Sequence, residues 1–350
     1  MAAATARLGA LRSRFRGGRG GARSSRAAYL YLVPAFAVMG VITLYPLGFQ
    51  VWMSFTDMAP INLNIRANVP PHFIGIENYT NIISSQLAIP NYNFLRLIIY
   101  NLFWAVSNVA IHLVLGVGIA LLLNVKGLWF RRFYRALYIL PVVIPPIIVA
   151  TVWHNMFDRD DGAVNLILAG FGGFLGLPAG AFEIDWLRQV KAPIDGLLPS
   201  WEGGPNLSLP LAFYAMLVTN TWLGWPLNSV VATGALQSIP NDLYEAAEMD
   251  GATAWAKFRH ITLAYLRPAM IPYAIYGFVL TFNLFALAYW MSGGGPEGRT
   301  ELLVTQAYQL ANVQRLYGVA AAFAVIMFFI LLTVTLVTNR LTKATQSYNL

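Results

Sequence analysis

The sequence predicts an all-α, polytopic membrane protein with six transmembrane helices and both termini in the cytoplasm. Three observations predict it: the excess of apolar residues, the length of the uncharged runs, and the placement of arginine and lysine. Of 350 residues, 57% are hydrophobic and 11% charged, against roughly 45–50% and about 25% in soluble domains. A water-soluble chain of this size cannot hide so much apolar surface, so lipid is the expected solvent. Uncharged runs at 27–56, 97–125, 136–157, 203–241, 268–296 and 316–339 each reach the roughly 20 residues a helix needs to cross a bilayer. With the N-terminus inside, the cytoplasmic pieces hold 16 of the 23 basic residues and four acidic ones, and the outer pieces hold seven basic and 11 acidic. Lysine and arginine concentrate on the cytoplasmic side of bilayers, which fits both the parity and the orientation.

Residues 1–28 carry seven arginines interrupted by Gly17, Gly18, Gly20 and Gly21. They read as a cytoplasmic tail that fixes topology, followed by a permeation domain over 29–350. Seven arginines suit phosphate, but Phe15 is the one aromatic there, so no nucleic-acid partner is expected. A cleavable signal is disfavoured, because the run at 27–56 exceeds the roughly 7–15 residue apolar core of such signals.

The second span carries Asn101, Asn108 and His112, best read as polar links between helices. After the third span, the uncharged run 162–182 holds six glycines and Pro178. Glycine at that density weakens a helix, which predicts a re-entrant or interfacial segment instead of a seventh span. Cysteine is absent, and His72, His112, His154 and His260 fall in separate segments, so neither thiol chemistry nor a metal site is expected. Beyond the fifth span, Gly293, Gly298, Arg299 and Thr300 imitate a phosphate-binding loop. Arginine stands where lysine is usual, and the motif follows a membrane span instead of a strand, so Gly293 to Pro296 reads as a turn. The chain is therefore expected to bind no cofactor and to perform no catalysis itself.

Between the fourth and fifth spans, residues 240–267 read as a cytoplasmic helix-turn-helix. Asn241 is a candidate N-cap, and Asp242, Glu245 and Glu248 lie where the helix dipole favours negative charge. Leu243, Ala246, Ala247 and Asp250 share helical spacing, Gly251 suits the positive φ that ends a helix, and Thr253 can cap a second helix through Trp255 and Phe258. On spacing alone, an ordinary amphipathic connector fits equally well.

Glu245-Ala246-Ala247, Gly251, Ile261 and Leu263 resemble the EAA loop of ABC-importer permeases, except that Ala264 stands where that family has proline. Tyr31 and Pro34, Tyr45-Pro46, Ser54-Phe55-Thr56-Asp57, Phe73-Ile74-Gly75 with Glu77-Asn78-Tyr79, Leu140-Pro141 and Ser292 through Pro296 with Thr300-Glu301-Leu302-Leu303 resemble the carbohydrate-uptake branch, and most of all the larger membrane subunit of maltose importers. The likeness runs from about Tyr29 to the end, with 180–204 as a variable insertion. It implies a type I importer permease fold that pairs with a second permease, two ATPase subunits carrying ATP and Mg, and an extracytoplasmic sugar-binding protein. It also implies an ATPase-docking role for Glu245, Ala246, Ala247, Asp250 and Gly251.

The resemblance further implies a substrate path through Leu223, Gly224, Trp225, Phe282 and Asn283, although Leu227 replaces the tyrosine of the maltose subunit. Aromatic rings suit the apolar faces of a pyranose, and an intramembrane asparagine tends to face a cavity or a partner helix. For Asn283 a helix-to-helix hydrogen bond is the alternative. The expected cargo is a disaccharide or oligosaccharide such as maltose, maltodextrin or trehalose; another solute such as glycerol 3-phosphate is the alternative within the class. An ion-driven secondary transporter is the competing class, but it would carry charged residues inside its spans, and these six runs have none.

Overall fold

The computed structural model describes residues 21–64, 66, 68–125, 127–178, 182–190 and 209–342, with side chains from residue 29 onward. The chain divides into two units, residues 1–53 and 54–350. In the first, α1 (Gly21–Met39) passes through a π-helical turn (Gly40–Leu44) into α2 (Tyr45–Met53). The helix already begins at Gly21, inside the stretch read as tail; residues 1–20 lie outside the described residues, as do most of the insertion at 180–204 and the end of the chain from 343.

Among its described residues the second unit consists of helices and their connecting turns, and the strand-like pairing is a single bridge between Thr56 and Phe73. It opens with two short helices, α3 (Pro60–Leu63) and α4 (Glu77–Ile83), followed by α5 (Phe94–Leu123). Asn93 starts α5 by accepting the Arg96 amide at 2.9 Å, as an N-cap should. Next come α6 (Arg131–Tyr138), α7 (Leu140–Val143), α8 (Pro146–Met156) and α9 (Ala163–Phe174). At 12 residues, or roughly 18 Å, α9 is too short to cross a bilayer.

The remaining helices are α10 (Leu211–Gln237), α11 (Asn241–Met249), α12 (Ala254–Lys257), α13 (Leu263–Phe282), α14 (Phe285–Leu287), α15 (Leu303–Tyr308) and α16 (Tyr317–Thr342). Further π-helical turns at Phe258–Thr262, Ala288–Ser292 and Gln309–Val313 join them.

The six expected spans differ in length and polarity. Among the described residues, four stretches are long and apolar enough to cross a membrane: Tyr29–Met53, Phe94–Leu123, Ala254–Ser292 and Tyr317–Thr342. A fifth follows only if α6–α7 and α8, bent by 95°, count as one. The bend sits at Ile144, held extended at φ −82° and ψ 128° because Pro145 and Pro146 follow it and disfavour the helical conformation. The fourth expected span, α10, has 27 uncharged residues yet does not pass as apolar among those stretches. Its Thr219, Asn220, Asn228, Ser229 and Thr233 are buried inside the unit, where α10 packs along α5 and against α13. A Cβ on Gly116 of α5 would stand 2.4 Å from the Asn228 Cβ, so only glycine admits that approach.

The fifth expected span starts earlier than 268 and is broken. Ala264 keeps the amide that proline would lack, and the chain runs without interruption from the π-helical turn into α13. The helix stops at Asn283 and resumes at Phe285. Carbonyls freed by such a break in an apolar interior cost about 1–3 kcal/mol each if unpaired. Side chains of α5 pair them: Trp104 Nε1 donates to Thr281 O at 3.2 Å and Asn101 Nδ2 to Phe282 O at 3.3 Å. Asn101 Oδ1 also accepts the Leu303 amide at 2.7 Å, so one asparagine joins α5, α13 and α15.

Between α14 and α15 the loop that imitates a phosphate site is a turn, as expected: Thr300 Oγ1 lies 2.9 Å from Ser292 Oγ and 2.5 Å from Gly295 O. Beside it Glu301 is 9% exposed and accepts Gln309 Nε2 at 2.7 Å. Burial pushes its carboxyl up to about 7, a rise that the facing Arg96 only partly opposes. A carboxyl that holds its proton more tightly when folded loses stability as pH rises between the ordinary carboxylate range and that value. Thermal stability is therefore expected to fall from about pH 4.5 to pH 7, by at most about 1.4 kcal/mol per pH unit. The Glu301→Gln variant should flatten that slope. An unchanged slope in melting curves of the variant would place the titration elsewhere.

Candidate functional site

A cavity of about 210 Å³ opens where α5, the α7–α8 bend, α10 and α13 meet. Val142, Ile144 and Pro146 of the bend form one wall, Leu223, Gly224 and Leu227 of α10 another, and Gly277, Leu280 and Leu284 a third. Polar groups punctuate this apolar surface: His112 from α5, Asn220 and Asn228 from α10, and Tyr273 and Thr281 from α13. That composition, mostly apolar with a few placed polar groups, is the usual make-up of a small-molecule site.

A hydrogen-bonded chain fixes the polar groups. Asn108 Nδ2 donates to Trp104 O at 2.7 Å, and Asn220 Nδ2 donates to Asn108 Oδ1 at 2.7 Å. His112 Nε2 lies 2.9 Å from the Asn220 backbone carbonyl; a carbonyl only accepts, so that nitrogen carries the proton and Nδ1 of the neutral ring is an acceptor. Asn228 Nδ2 donates to Gly224 O at 3.0 Å. Asn220 Oδ1, Asn228 Oδ1 and the Tyr273 hydroxyl have no partner among the described residues. The imidazole lies on Gly224 so closely that a Cβ there would stand 2.0 Å from His112 Cε1.

Of the five residues expected on a substrate path, the structure places Leu223 and Gly224 on the cavity wall and the other three off it. Trp225 turns to Tyr138, with ring centroids 5.4 Å apart. Phe282 is fully buried and packs on Phe278 at 5.8 Å, in a core that includes Leu303 and Phe323. Asn283 spends its amide on Val279 O at 3.0 Å, closing its own helix instead of reaching a cavity or another helix. The break rotates their neighbours Thr281 and Leu284 onto the wall in their place. His112, Asn220, Asn228 and Tyr273 were not expected there. The signal for the first three was the cost of a polar group in an apolar helix, which applies to them as much as to Asn283.

The segment from α11 to α12 forms a second, separate feature. Asn241 is the first helical residue and Pro240 the N-cap, without a side-chain cap, so the expected Asn241 cap is absent. Gly251 has φ +73°; its amide reaches Glu248 O at 3.0 Å and the Ala252 amide reaches Ala247 O at 2.8 Å, the paired bonds of a Schellman ending. Thr253 Oγ1 caps α12 through the Ala256 amide at 3.2 Å. Lys257 Nζ binds Glu248 Oε1 at 2.5 Å across the turn and holds that carboxyl below its usual range. Tyr244 Oη and Thr262 Oγ1, 2.9 Å apart, tie α11 to the following helix. Glu245, Ala246, Asp250 and Gly251 are exposed and Ala247 is half-buried. Met249 is 90% exposed and Trp255 66%, so this rigid turn presents apolar groups that its own chain leaves uncovered.

Residues 112–346 match the family described as binding-protein-dependent transport system inner membrane component. The maltodextrin transport system permease protein MalC of Streptococcus pneumoniae is 30% identical over 324 residues, 88% of this chain and 67% of that protein. The trehalose/maltose transport system permease protein MalF of Thermococcus litoralis is 28% identical over 321 residues, 90% of this chain and 93% of that protein. In fold, the chain is similar to a subunit in the crystal structure of a bacterial ABC transporter involved in import of the acidic polysaccharide alginate. The TM-score is 0.68 at 21% identity, covering 92% of this chain and 96% of that one.

Proposed function

The chain belongs to the binding-protein-dependent transport system inner membrane components, and from that premise we propose that it is one of two permease subunits of an ATP-driven importer of a disaccharide or oligosaccharide in a bacterial inner membrane. The observation that carries the reading is the cavity at the helix break, where unspent carboxamide and hydroxyl groups of Asn220, Asn228 and Tyr273 stand among apolar side chains. A sugar offers the matching surface: hydroxyls for those groups and apolar ring faces for Leu223 and Leu280. Relatives that carry maltodextrin, galactooligosaccharides or trehalose/maltose in their names favour a disaccharide or oligosaccharide over glycerol 3-phosphate.

In this reading six segments cross the bilayer, the stretch 136–157 that ends in α8 and polar α10 included, and both termini face the cytoplasm. ATP and Mg are held by two partner ATPases, which dock on the α11–α12 turn through Glu245, Ala246, Ala247, Asp250 and Gly251. A second permease closes the cavity, and an extracytoplasmic binding protein delivers the sugar. Rocking of the two permeases then exposes the cavity to each side in turn. The Met249 and Trp255 side chains suit a groove on the ATPase, because exposed apolar groups on a rigid turn gain most from burial.

The test is reconstitution. The chain alone in proteoliposomes is expected to hydrolyse no ATP and to move no maltodextrin with ATP present. Together with the second permease, the ATPase and the binding protein it should do both. ATP-driven uptake by the isolated chain would overturn the assignment.

A further inference from the structure

No acidic residue stands between Glu77 and Asp158, a stretch that holds Arg96, Lys126, Arg131, Arg132 and Arg135. Three of these arginines lie on α6. At about 100° per residue, Arg131, Arg132 and Arg135 occupy one arc of the helix, and Phe133, Tyr134 and Leu137 the opposite one. Arg131 Nη2 donates to Asn124 Oδ1 at 3.0 Å. The Nε of Arg131, and Nε and Nη2 of Arg135, are buried beneath neighbouring atoms without a hydrogen-bond partner among the described residues, whereas Arg132 is exposed. Among the described residues no carboxylate pairs with any of the three guanidinium groups. The apolar side is uncovered: Trp129 is 81% exposed, Phe130 68%, Phe133 61% and Leu137 54%. Phe130 also enters the helix at φ +55°, a left-handed conformation that bulky side chains resist, with its ring edge-on to Trp129 at 5.7 Å.

We propose that α6 lies in the cytoplasmic headgroup layer of the bilayer, where Arg131 and Arg135 bind the phosphodiester of an acidic phospholipid while Trp129, Phe130 and Phe133 enter the acyl region. This rests on the reading of the chain as a membrane subunit with that loop inside. A helix with a basic arc and an aromatic arc is the arrangement that lies flat in the interface. Guanidinium groups present paired donors to phosphate oxygens, and the inner leaflet supplies the anions. Charge decides the occupant: two adjacent guanidinium groups with no carboxylate partner among the described residues call for an anion, and the membrane offers both the anion and the apolar phase beside it.

The test uses the full chain, purified and exchanged into nanodiscs of mixed phosphatidylglycerol and phosphatidylcholine, with retained lipid counted by native mass spectrometry. Phosphatidylglycerol should be retained over phosphatidylcholine, with a loss on the order of fivefold for each arginine removed and about 30-fold for Arg131→Gln with Arg135→Gln. Arg66→Gln, on an outer loop, should change nothing. Equal retention of the two lipids by the unaltered chain overturns the proposal whether or not the double variant folds. Release of phosphatidylglycerol by excess inorganic phosphate would instead assign the site to a free anion. Phosphatidylglycerol carrying bromine on its acyl chains should quench Trp129, read as the difference from Trp129→Phe; an unquenched Trp129 overturns the insertion. If the double variant keeps its lipid but loses the second permease or the ATPase, the arginines belong to a protein interface. Because lipid retention is measured without sugar or ATP, failure here leaves the importer assignment standing.

Discussion

Gly224→Trp is expected to abolish sugar uptake by the assembled importer, and Gly224→Ala to reduce it severalfold. The imidazole of His112 lies where the first added carbon would go, 2.0 Å from an alanine Cβ, so either the ring leaves Asn220 or α5 and α10 separate. Overpacking of this kind costs about 1–3 kcal/mol, and the Trp ring would project from the α10 wall into the cavity of about 210 Å³ and obstruct it. His112→Ala removes the obstruction. Combined with Gly224→Ala it should recover most of the thermal stability, while uptake stays low because the Asn220 carbonyl has lost its donor. Asn220→Ala should raise the sugar concentration needed for half-maximal uptake by about 2- to 12-fold, the equivalent of one neutral hydrogen bond of roughly 0.5–1.5 kcal/mol. The measurements are melting temperature and uptake of labelled maltodextrin in proteoliposomes. Wild-type uptake by Gly224→Trp in a normally assembled complex would move the sugar path away from this cavity.

How much of this was legible in the sequence depended on the range of the interactions. Lipid imposes its demand residue by residue, so α5 and α16 could be read from uncharged runs alone. The bend at Pro145–Pro146 was as local, but its consequence, a span folded by 95°, depends on what α7 and α8 pack against. The polarity of α10 was visible and was counted as nothing more than absence of charge; inside the unit it distinguishes the helix that lies against α5 from those that face outward. Phe282 and Asn283 were carried over from a family resemblance, which gives residue types in order and not the place of a helix break. The break after Phe282 turns that ring into the core and spends the asparagine on its own helix. His112 and Asn220, 108 positions apart, become one group only once α5 and α10 are packed, a fact no local pattern encodes.

The α11–α12 turn was the most legible feature because its geometry is local: a glycine at positive φ, a threonine cap and an acidic start lie within about a dozen residues. Gly251→Val is expected to detach the ATPase or to uncouple its hydrolysis from sugar movement, without removing the chain from the membrane. At φ +73° a β-branched residue is strongly disfavoured, and the Schellman bonds from Gly251 and Ala252 open with it. That re-aims Met249 and Trp255, 90% and 66% exposed, relative to each other. Few contacts elsewhere depend on the turn, since Tyr244 with Thr262 and Lys257 with Glu248 are its polar ties to the next helix. Ala246→Trp should act by bulk, because Ala246 is exposed on the docking face. Glu245→Ala should act more mildly, because a carboxylate near an exposed helix start contributes only about 0.3–1 kcal/mol. Co-purification of the ATPase with each variant, followed by uptake and hydrolysis in proteoliposomes, separates loss of docking from loss of coupling. If Gly251→Val and Ala246→Trp both retain the ATPase with full sugar-stimulated hydrolysis and uptake, the turn is a connector, and the motor engages another surface of the chain.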